Sequence, residues 1–258
     1  MSEMSLRKRI LSGEKVVGAF FKMHEPYLAT MMADNGFDFL IIDCEHGAFS
    51  YHEVEDMVRA IKYAGMSAII RVASPNEENI MHALDGGADG VQLPGLSAPI
   101  EVEEALKFAR YYPLGERGFS TATPAARFGG WKGEQPYIPY ANDNSLTVVH
   151  VENLDMANKI EELCKVQNLD VLFVGPGDMS MSMGMPGGTN SPEVAAVVKK
   201  VFEDGLRCGK VVGSIGSSLA KLQELASWGA NYLIYASDVV HIKKAFAAAG
   251  KDIAAIKG

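Results

Sequence analysis

Short apolar runs that read as strands alternate eight times with longer amphipathic runs that read as helices, and nothing else in the chain constrains the fold as much. A short helix-like segment, Leu6–Leu11, comes first. Strands are expected over Val16–Phe21, Phe37–Asp43, Ser67–Val72, Gly90–Leu93, Leu146–Glu152, Val171–Gly175, Val211–Ile215 and Tyr232–Tyr235. Between and after them, helices are expected over Pro26–Asn35, Tyr51–Ala64, Glu77–Leu84, Ile100–Tyr111, Met156–Val166, Pro192–Cys208, Leu219–Trp228 and Val239–Ile256. Alternating units of this kind predict a parallel sheet, because parallel neighbours need a crossover between them. Eight such units in 258 residues predict an α/β fold of the (β/α)8 TIM-barrel type, a single domain over residues 1–258. No repeat, low-complexity stretch or linker divides the chain.

The ends of the strands carry the chemistry. Phe39-Leu40-Ile41-Ile42 runs into Asp43-Cys44-Glu45-His46, Ile69-Ile70 into Arg71, Val149-His150-Val151 into Glu152, and Phe173-Val174 into Gly175-Pro176-Gly177-Asp178. Burying such groups without partners costs several kcal/mol. Four strands ending this way argue for one polar mouth, at the carboxyl ends where barrels of this kind build their sites.

A net charge of −8 argues against a nucleic-acid surface. No run of 18 apolar residues occurs, so no membrane span is expected, and Met1 to Lys15 lacks the apolar core of a signal peptide. Cys44, Cys164 and Cys208 are odd in number and form no CxxC pair. Neither a disulfide framework nor a zinc site follows, and a reducing cytoplasm is the simplest setting.

Two long connections stand out. Pro176–Ser191 follows a strand and so belongs to the mouth. Gly115–Ser145 follows a helix and does not; a connection this long is functional or hides an element. Its Trp131, Tyr137 and Tyr140 either cover an interface or form a small core of their own.

Several constellations have both a chemical and an ordinary reading. Glu152 and Asp178 end adjacent strands and could hold a hard cation such as Mg²⁺ or Mn²⁺, or could be bridged by Arg or Lys. Asp43 and His46 could be orienter and base, or His46 could cap a loop. Glu45 and His46 cannot face the same way if their strand continues. Arg71 could bind a carboxylate or a developing oxyanion, or form a salt bridge to Asp43 or Glu45 in the same mouth. Gly175-Pro176-Gly177-Asp178 lacks the Lys-Ser/Thr of a P-loop, though its N–H groups could cradle a small carboxylate. The methionines at 179, 181, 183 and 185 read as loop and apolar cover, and Cys44 as a small buried residue.

With these pieces in order, the chain resembles the HpcH/HpaI aldolase family of metal-dependent class II pyruvate aldolases. The resemblance is carried by Ile42-Asp43-Cys44-Glu45-His46, Ile70-Arg71-Val72, Leu84-Asp85-Gly86-Gly87-Ala88, Tyr112-Pro113-Leu114-Gly115-Glu116-Arg117-Gly118, Val151-Glu152, Val174-Gly175-Pro176-Gly177-Asp178-Met179-Ser180 and Trp228-Gly229-Ala230-Asn231. It implies a (β/α)8 barrel assembled as a homo-hexamer, a dimer of trimers. It implies Glu152 and Asp178 as ligands of a divalent metal (Mg²⁺, Mn²⁺ or Co²⁺), and His46 as base through a metal-bound water, with Asp43 orienting it. Arg71 would stabilise the pyruvate enolate, with Gly177, Asp178 and Ile215 beside the substrate. Asp85 would reach a neighbouring subunit's site. The substrates implied are a small 2-oxo acid and an aldehyde. Two positions depart from the family pattern: His150 stands where close relatives carry Gln, and Lys22 where they carry a small or apolar residue. The alternatives are a Schiff-base aldolase using Lys22, a CoA-ester lyase of the malyl-CoA/citrate lyase type, and a non-catalytic barrel that binds carboxylates.

Overall fold

Eight parallel strands close on themselves in chain order in a computed structural model of the protein, which describes residues 4–257. The strands are β1 (Val16–Phe21), β2 (Phe39–Asp43), β3 (Ser67–Arg71), β4 (Gly90–Leu93), β5 (Leu146–Val151), β6 (Val171–Val174), β7 (Val211–Gly216) and β8 (Tyr232–Ser237), with β8 paired back onto β1. The barrel expected from the alternation is therefore the fold, though the expected span of 1–258 runs past the described residues at both ends.

The helices are α1 (Leu6–Leu11), α2 (Pro26–Ala33), α3 (Tyr51–Tyr63), α4 (Glu77–Asp85), α5 (Pro99–Lys107), α6 (Tyr137–Asn144), α7 (Leu154–Ala157), α8 (Ile160–Leu163), α9 (Pro176–Ser182), α10 (Pro192–Arg207), α11 (Leu219–Ser227) and α12 (Asp238–Lys257). Several start at side-chain caps. Ser50 and Glu53 make a reciprocal capping box for α3, and Asn76, Ser191 and Ser218 cap α4, α10 and α11.

Period-two alternation along the strands splits the apolar residues into two shells. Phe20, Phe39, Ile41, Ile69, Val148, Phe173, Tyr232 and Ile234 fill the barrel interior. Phe21, Leu40, Ile42, Ile70, Val149, Leu172 and Val174 face the surrounding helices. The same alternation then turns the next odd or even position of each strand inward at the mouth.

The amino ends of the strands are stitched by three aspartates. Asp38, Asp89 and Asp170 each stand just before an even-numbered strand, and each accepts a backbone N–H at the start of the preceding strand. The donors are Val17 (2.8 Å), Ala68 (2.9 Å) and Thr147 (3.1 Å). Each carboxylate also meets a cation, Arg9, Lys62 and Arg7 respectively. β2 starts at Phe39 and not at Phe37; Asp38 just before it bonds Val17 through both its backbone N–H and its carboxylate, and its carbonyl accepts the Ser67 N–H.

Most element ends shift by one or two residues from those expected, and four differences are larger. Helix α5 stops at Lys107, because Glu116 and Arg117 fold back to donate to the Lys107 and Arg110 carbonyls. Gly115 allows that approach, since a Cβ there would run into the Lys107 carbonyl. The single helix expected over Met156–Val166 is two short ones, α7 and α8, broken at Lys159, whose backbone leaves the helical region. The connection 115–145 contains α6 and a 3-10 turn at Arg127–Gly129. Its aromatics cluster without being buried: Trp131 lies 4.4 Å from Tyr140 and 5.5 Å from Tyr137 between ring centroids, and Tyr140 is exposed. The stretch expected as loop after β6 begins with α9, whose Met179 is buried while Met181 is exposed.

Among the described residues no helix is long and apolar enough to cross a membrane.

Candidate active site

The inward positions at the carboxyl ends of β2, β3, β4 and β5 are Asp43, Arg71, Gln92 and His150, with Glu152 one step past the end of β5. Asp43 and Arg71 are register partners on adjacent strands. Arg71 Nε donates to Asp43 Oδ1 at 2.8 Å and Nη2 donates to Oδ2 at 2.6 Å. Both residues are buried, and the guanidinium lies 4.5 Å above the Phe20 ring. Arg71 Nη1 stands 2.8 Å from Glu45 Oε2. That is a charge contact without hydrogen-bond geometry, so this buried oxygen has no directed partner. Lys22 Nζ, just past β1, is 2.8 Å from Asp43 Oδ2.

Burial alone would raise the Asp43 carboxyl. Hydrogen bonds and charge from Arg71, with Lys22 and the His46 N–H, outweigh it and hold the group down at about 2. Burial pushes Glu45 upward against the pull of Arg71, and the nearby Glu152 adds to the rise. Burial pushes the Cys44 thiol up to about 12, as suits an inert small residue.

The expected contact between Asp43 and the His46 ring is not the one found. Asp43 Oδ1 accepts the backbone N–H of His46 at 3.1 Å, while the ring is exposed and its Nε2 lies 3.9 Å from Glu45 Oε2. The physical reason is that β2 ends at Asp43 and the chain turns, with Gly47 N–H donating to the Asp43 carbonyl. The turn lets Glu45 and His46 both reach the mouth, which a continuing strand would forbid.

Glu152 is fixed at both oxygens. Oε1 accepts the Gly95 N–H at 2.6 Å and Oε2 lies 2.7 Å from His150 Nδ1. Burial opposes ionisation of Glu152, but hydrogen bonds from His150 and Gly95 prevail and lower it. Asp178 sits in the first turn of α9, exposed and without a hydrogen-bond partner among the described residues. A Cβ built on Gly175 would stand 3.5 Å from Glu152 Oε2 and 3.9 Å from Asp178 Oδ2. The two carboxylates thus address one point that glycine leaves open, with no Arg or Lys among the described residues bridging them. Among the described residues no three His, Cys, Asp or Glu gather as a cation site. Two hard oxygen donors with open positions fit a divalent cation that keeps several ligands from water or substrate.

Gly177 lies on the exposed first turn of α9, and Ile215 on β7 is half-buried against the barrel interior. Asp85 is not at this mouth. It ends α4, at the amino side of the barrel, where its carboxylate takes Arg117 Nη2 at 2.5 Å and its carbonyl takes the Ala125 N–H. A cleft of about 1120 Å³ opens there, lined by Arg117, Trp131 and Tyr137.

Gln92 and Tyr232 went unnoticed in the sequence. Both are fully buried and connect to His150: Gln92 Nε2 lies 2.5 Å from His150 Nε2, and Tyr232 Oη donates to Gln92 Oε1 at 3.2 Å. The available signal was Gln92 itself, an amide at an inward position of an otherwise apolar strand.

The family profile described as HpcH/HpaI aldolase/citrate lyase matches residues 17–245. The chain is 27% identical over 259 aligned positions to the 2-keto-3-deoxy-L-rhamnonate aldolase of Escherichia coli K12, covering 98% of this chain and 96% of that one. An HpcH/HpaI aldolase from Desulfitobacterium hafniense DCB-2 superposes with a TM-score of 0.90 at 28% identity, covering 97% of this chain and 96% of that chain. The citrate synthase SbnG superposes with a TM-score of 0.87 at 26% identity, covering 98% of both.

Proposed function

The chain belongs to the HpcH/HpaI aldolase/citrate lyase family, and from that premise we infer a divalent-metal-dependent aldolase. It makes or breaks the carbon–carbon bond between a pyruvate enolate and an aldehyde, with 4-hydroxy-2-oxo acids as substrates. The observation that carries this reading is the pair Glu152 and Asp178 around the open point at Gly175, with the clamped Arg71 near enough for its charge to act on Glu152.

In the cleavage direction a base takes the proton of the C4 hydroxyl, and that O–H pair becomes the aldehyde carbonyl. The C3–C4 pair passes into the enolate, and C3 then takes a proton to give pyruvate. Glu152 and Asp178 would hold the cation; Mg²⁺, Mn²⁺ and Co²⁺ all suit oxygen donors. When bound it supplies Lewis-acid withdrawal of charge from the 2-oxo acid. Arg71 keeps N–H groups at Nη1 and Nη2 beyond those given to Asp43. These donate to the oxyanion of the enolate, and the Asp43 clamp stops the head from following the substrate. His46, exposed beside the site, moves the proton. Gly177 and Ile215 line the substrate. Lys22 is engaged as a cation by Asp43, which disfavours its use as a Schiff-base amine.

The working unit is a homo-oligomer, the hexamer that the family resemblance implies. Consistent with it, α12 carries three exposed apolar side chains, Phe246, Ile253 and Ile256. Asp85 at the opposite rim then serves a neighbour's site. Three free cysteines suit a reducing cytoplasm.

The test is pyruvate release from a panel of 4-hydroxy-2-oxo acids with and without divalent metal. Turnover that needs the metal supports the reading; full turnover in metal-free protein, or none on any member, overturns it.

A further inference from the structure

We propose that His150 is a positioning residue for Glu152, locked as the Nδ1–H tautomer by a buried chain that starts at Tyr232. The chain crosses the barrel interior from β8 to β5. Tyr232 Oη donates to Gln92 Oε1 at 3.2 Å, Gln92 Nε2 faces His150 Nε2 at 2.5 Å, and His150 Nδ1 faces Glu152 Oε2 at 2.7 Å.

The direction of every link follows from donor and acceptor inventory. Tyr232 is fully buried, and the carboxamide oxygen of Gln92 is the acceptor within reach of its hydroxyl hydrogen. Turning the amide over would leave that hydrogen without an acceptor in a dry interior, which is costly. With its oxygen facing Tyr232, Gln92 can present only N–H to the imidazole. His150 Nε2 must then accept, so the ring proton sits on Nδ1, and it points at Glu152. The ring has no freedom to turn: it is 2% exposed and packs 4.9 Å from the Phe173 ring centroid.

The consequence lies at the carboxylate. One oxygen of Glu152, Oε1, takes the Gly95 N–H; the other, Oε2, takes His150 Nδ1–H and lies 3.5 Å from where a Cβ on Gly175 would stand, with a lone pair still free for a ligand at that open point. The carboxylate is therefore aimed before any cation arrives. Outer partners that orient a ligand in this way contribute substantially to metal affinity. The last step rests on the reading of Glu152 as a cation ligand; the tautomer does not.

Two measurements test it. In metal-free protein with ¹⁵N-labelled histidine at neutral pH, His150 should show a protonated Nδ1 and a bare Nε2. Tyr232→Phe, which removes one hydroxyl, should admit a second ring state. A ring protonated on both nitrogens, or on Nε2 alone, overturns the lock. Separately, Mn²⁺ alone is titrated calorimetrically into the wild type, His150→Phe and His150→Gln, with circular dichroism and melting as checks of the fold. His150→Phe should bind Mn²⁺ roughly 10- to 100-fold more weakly. His150→Gln, which keeps an N–H donor, should recover most of the loss; a merely space-filling role would rank the two variants the other way. Equal affinity in the wild type and His150→Phe overturns the positioning role alone. A wild type that binds no Mn²⁺ overturns the metal reading of Glu152 and the positioning role with it, while the ring state of His150 still decides the lock.

Discussion

Asp43 and Arg71 face each other across the β2–β3 register as a two-point ion pair, with donor–acceptor distances of 2.8 and 2.6 Å. Asp43 is fully buried, so its charge depends on its partners, Arg71 first and Lys22 beside it. The pair ties strand register to the orientation of a guanidinium at the barrel mouth.

Acid should therefore loosen the mouth in a defined window. The folded carboxyl of Asp43 lies at about 2, below the ordinary value near ~4. A depressed folded value means that the stabilisation is full above pH ~4 and fades as pH falls toward 2, on the order of 2 kcal/mol in all. Asp43→Asn should be less stable than wild type at neutral pH and approach it near pH 2. Melting temperatures of both proteins across that range check this; curves that stay parallel would remove the effect.

Arg71→Ala should lower turnover by roughly a hundredfold, the scale of one oxyanion donor, while leaving Mn²⁺ affinity near normal. Arg71→Lys should recover little, because an ammonium cannot make the two-point bond to Asp43. Steady-state kinetics beside metal titration separates the two effects, and wild-type turnover in Arg71→Ala would reject the role.

Gly175→Ala and Glu152→Ala probe the metal site from opposite sides. The added methyl at Gly175 fills the point between the carboxylates at ordinary contact distances of 3.4 Å or more, so the fold should tolerate it. Both variants should melt within a few degrees of the wild type and bind Mn²⁺ much more weakly. Chelation of the wild type should abolish turnover and metal add-back should restore it. Undiminished Mn²⁺ binding in both variants would place the site elsewhere.

His46→Ala should slow exchange of the pyruvate methyl protons into deuterated water by about a hundred- to ten-thousand-fold, without loss of Mn²⁺ binding. Asp43→Asn should slow it less, since Asp43 holds the His46 backbone and not its ring. Exchange at the wild-type rate in His46→Ala would assign the proton transfer to another group.

How far the sequence could be read depended on the range of the interactions involved. Strands such as Val171–Val174 and capped helices such as α3 announce themselves locally, and eight of them close a barrel. Asp43, Arg71, Glu152 and Asp178 stood out because ionisable groups ended apolar runs. The fold of 115–145 did not, because α6 and the Trp131 cluster depend on packing under the barrel rather than on periodicity. The partner of Asp43 is open to two readings in the sequence: His46 is three residues away, but Arg71, a strand across and already a candidate salt-bridge partner, offers two hydrogen bonds to the same carboxylate. The bond between Gln92 and Tyr232 has no local signal, because 140 residues separate them; only the amide of Gln92 in an apolar strand hints at it.

The aspartate stitches at the amino ends have a kinetic side. Asp38, Asp89 and Asp170 tie the barrel into the doublets β1–β2, β3–β4 and β5–β6 across separations of only 21, 21 and 23 residues. Closing loops of that length costs little entropy compared with joining β8 to β1 across the whole chain. Each stitch also marks the register, since a one-residue slip would turn its carboxylate away from the amide it holds. Folding should thus proceed through strand doublets that later zip together, and the amides of Val17, Ala68 and Thr147 should gain protection in pulse-labelled hydrogen exchange before those joining β8 to β1.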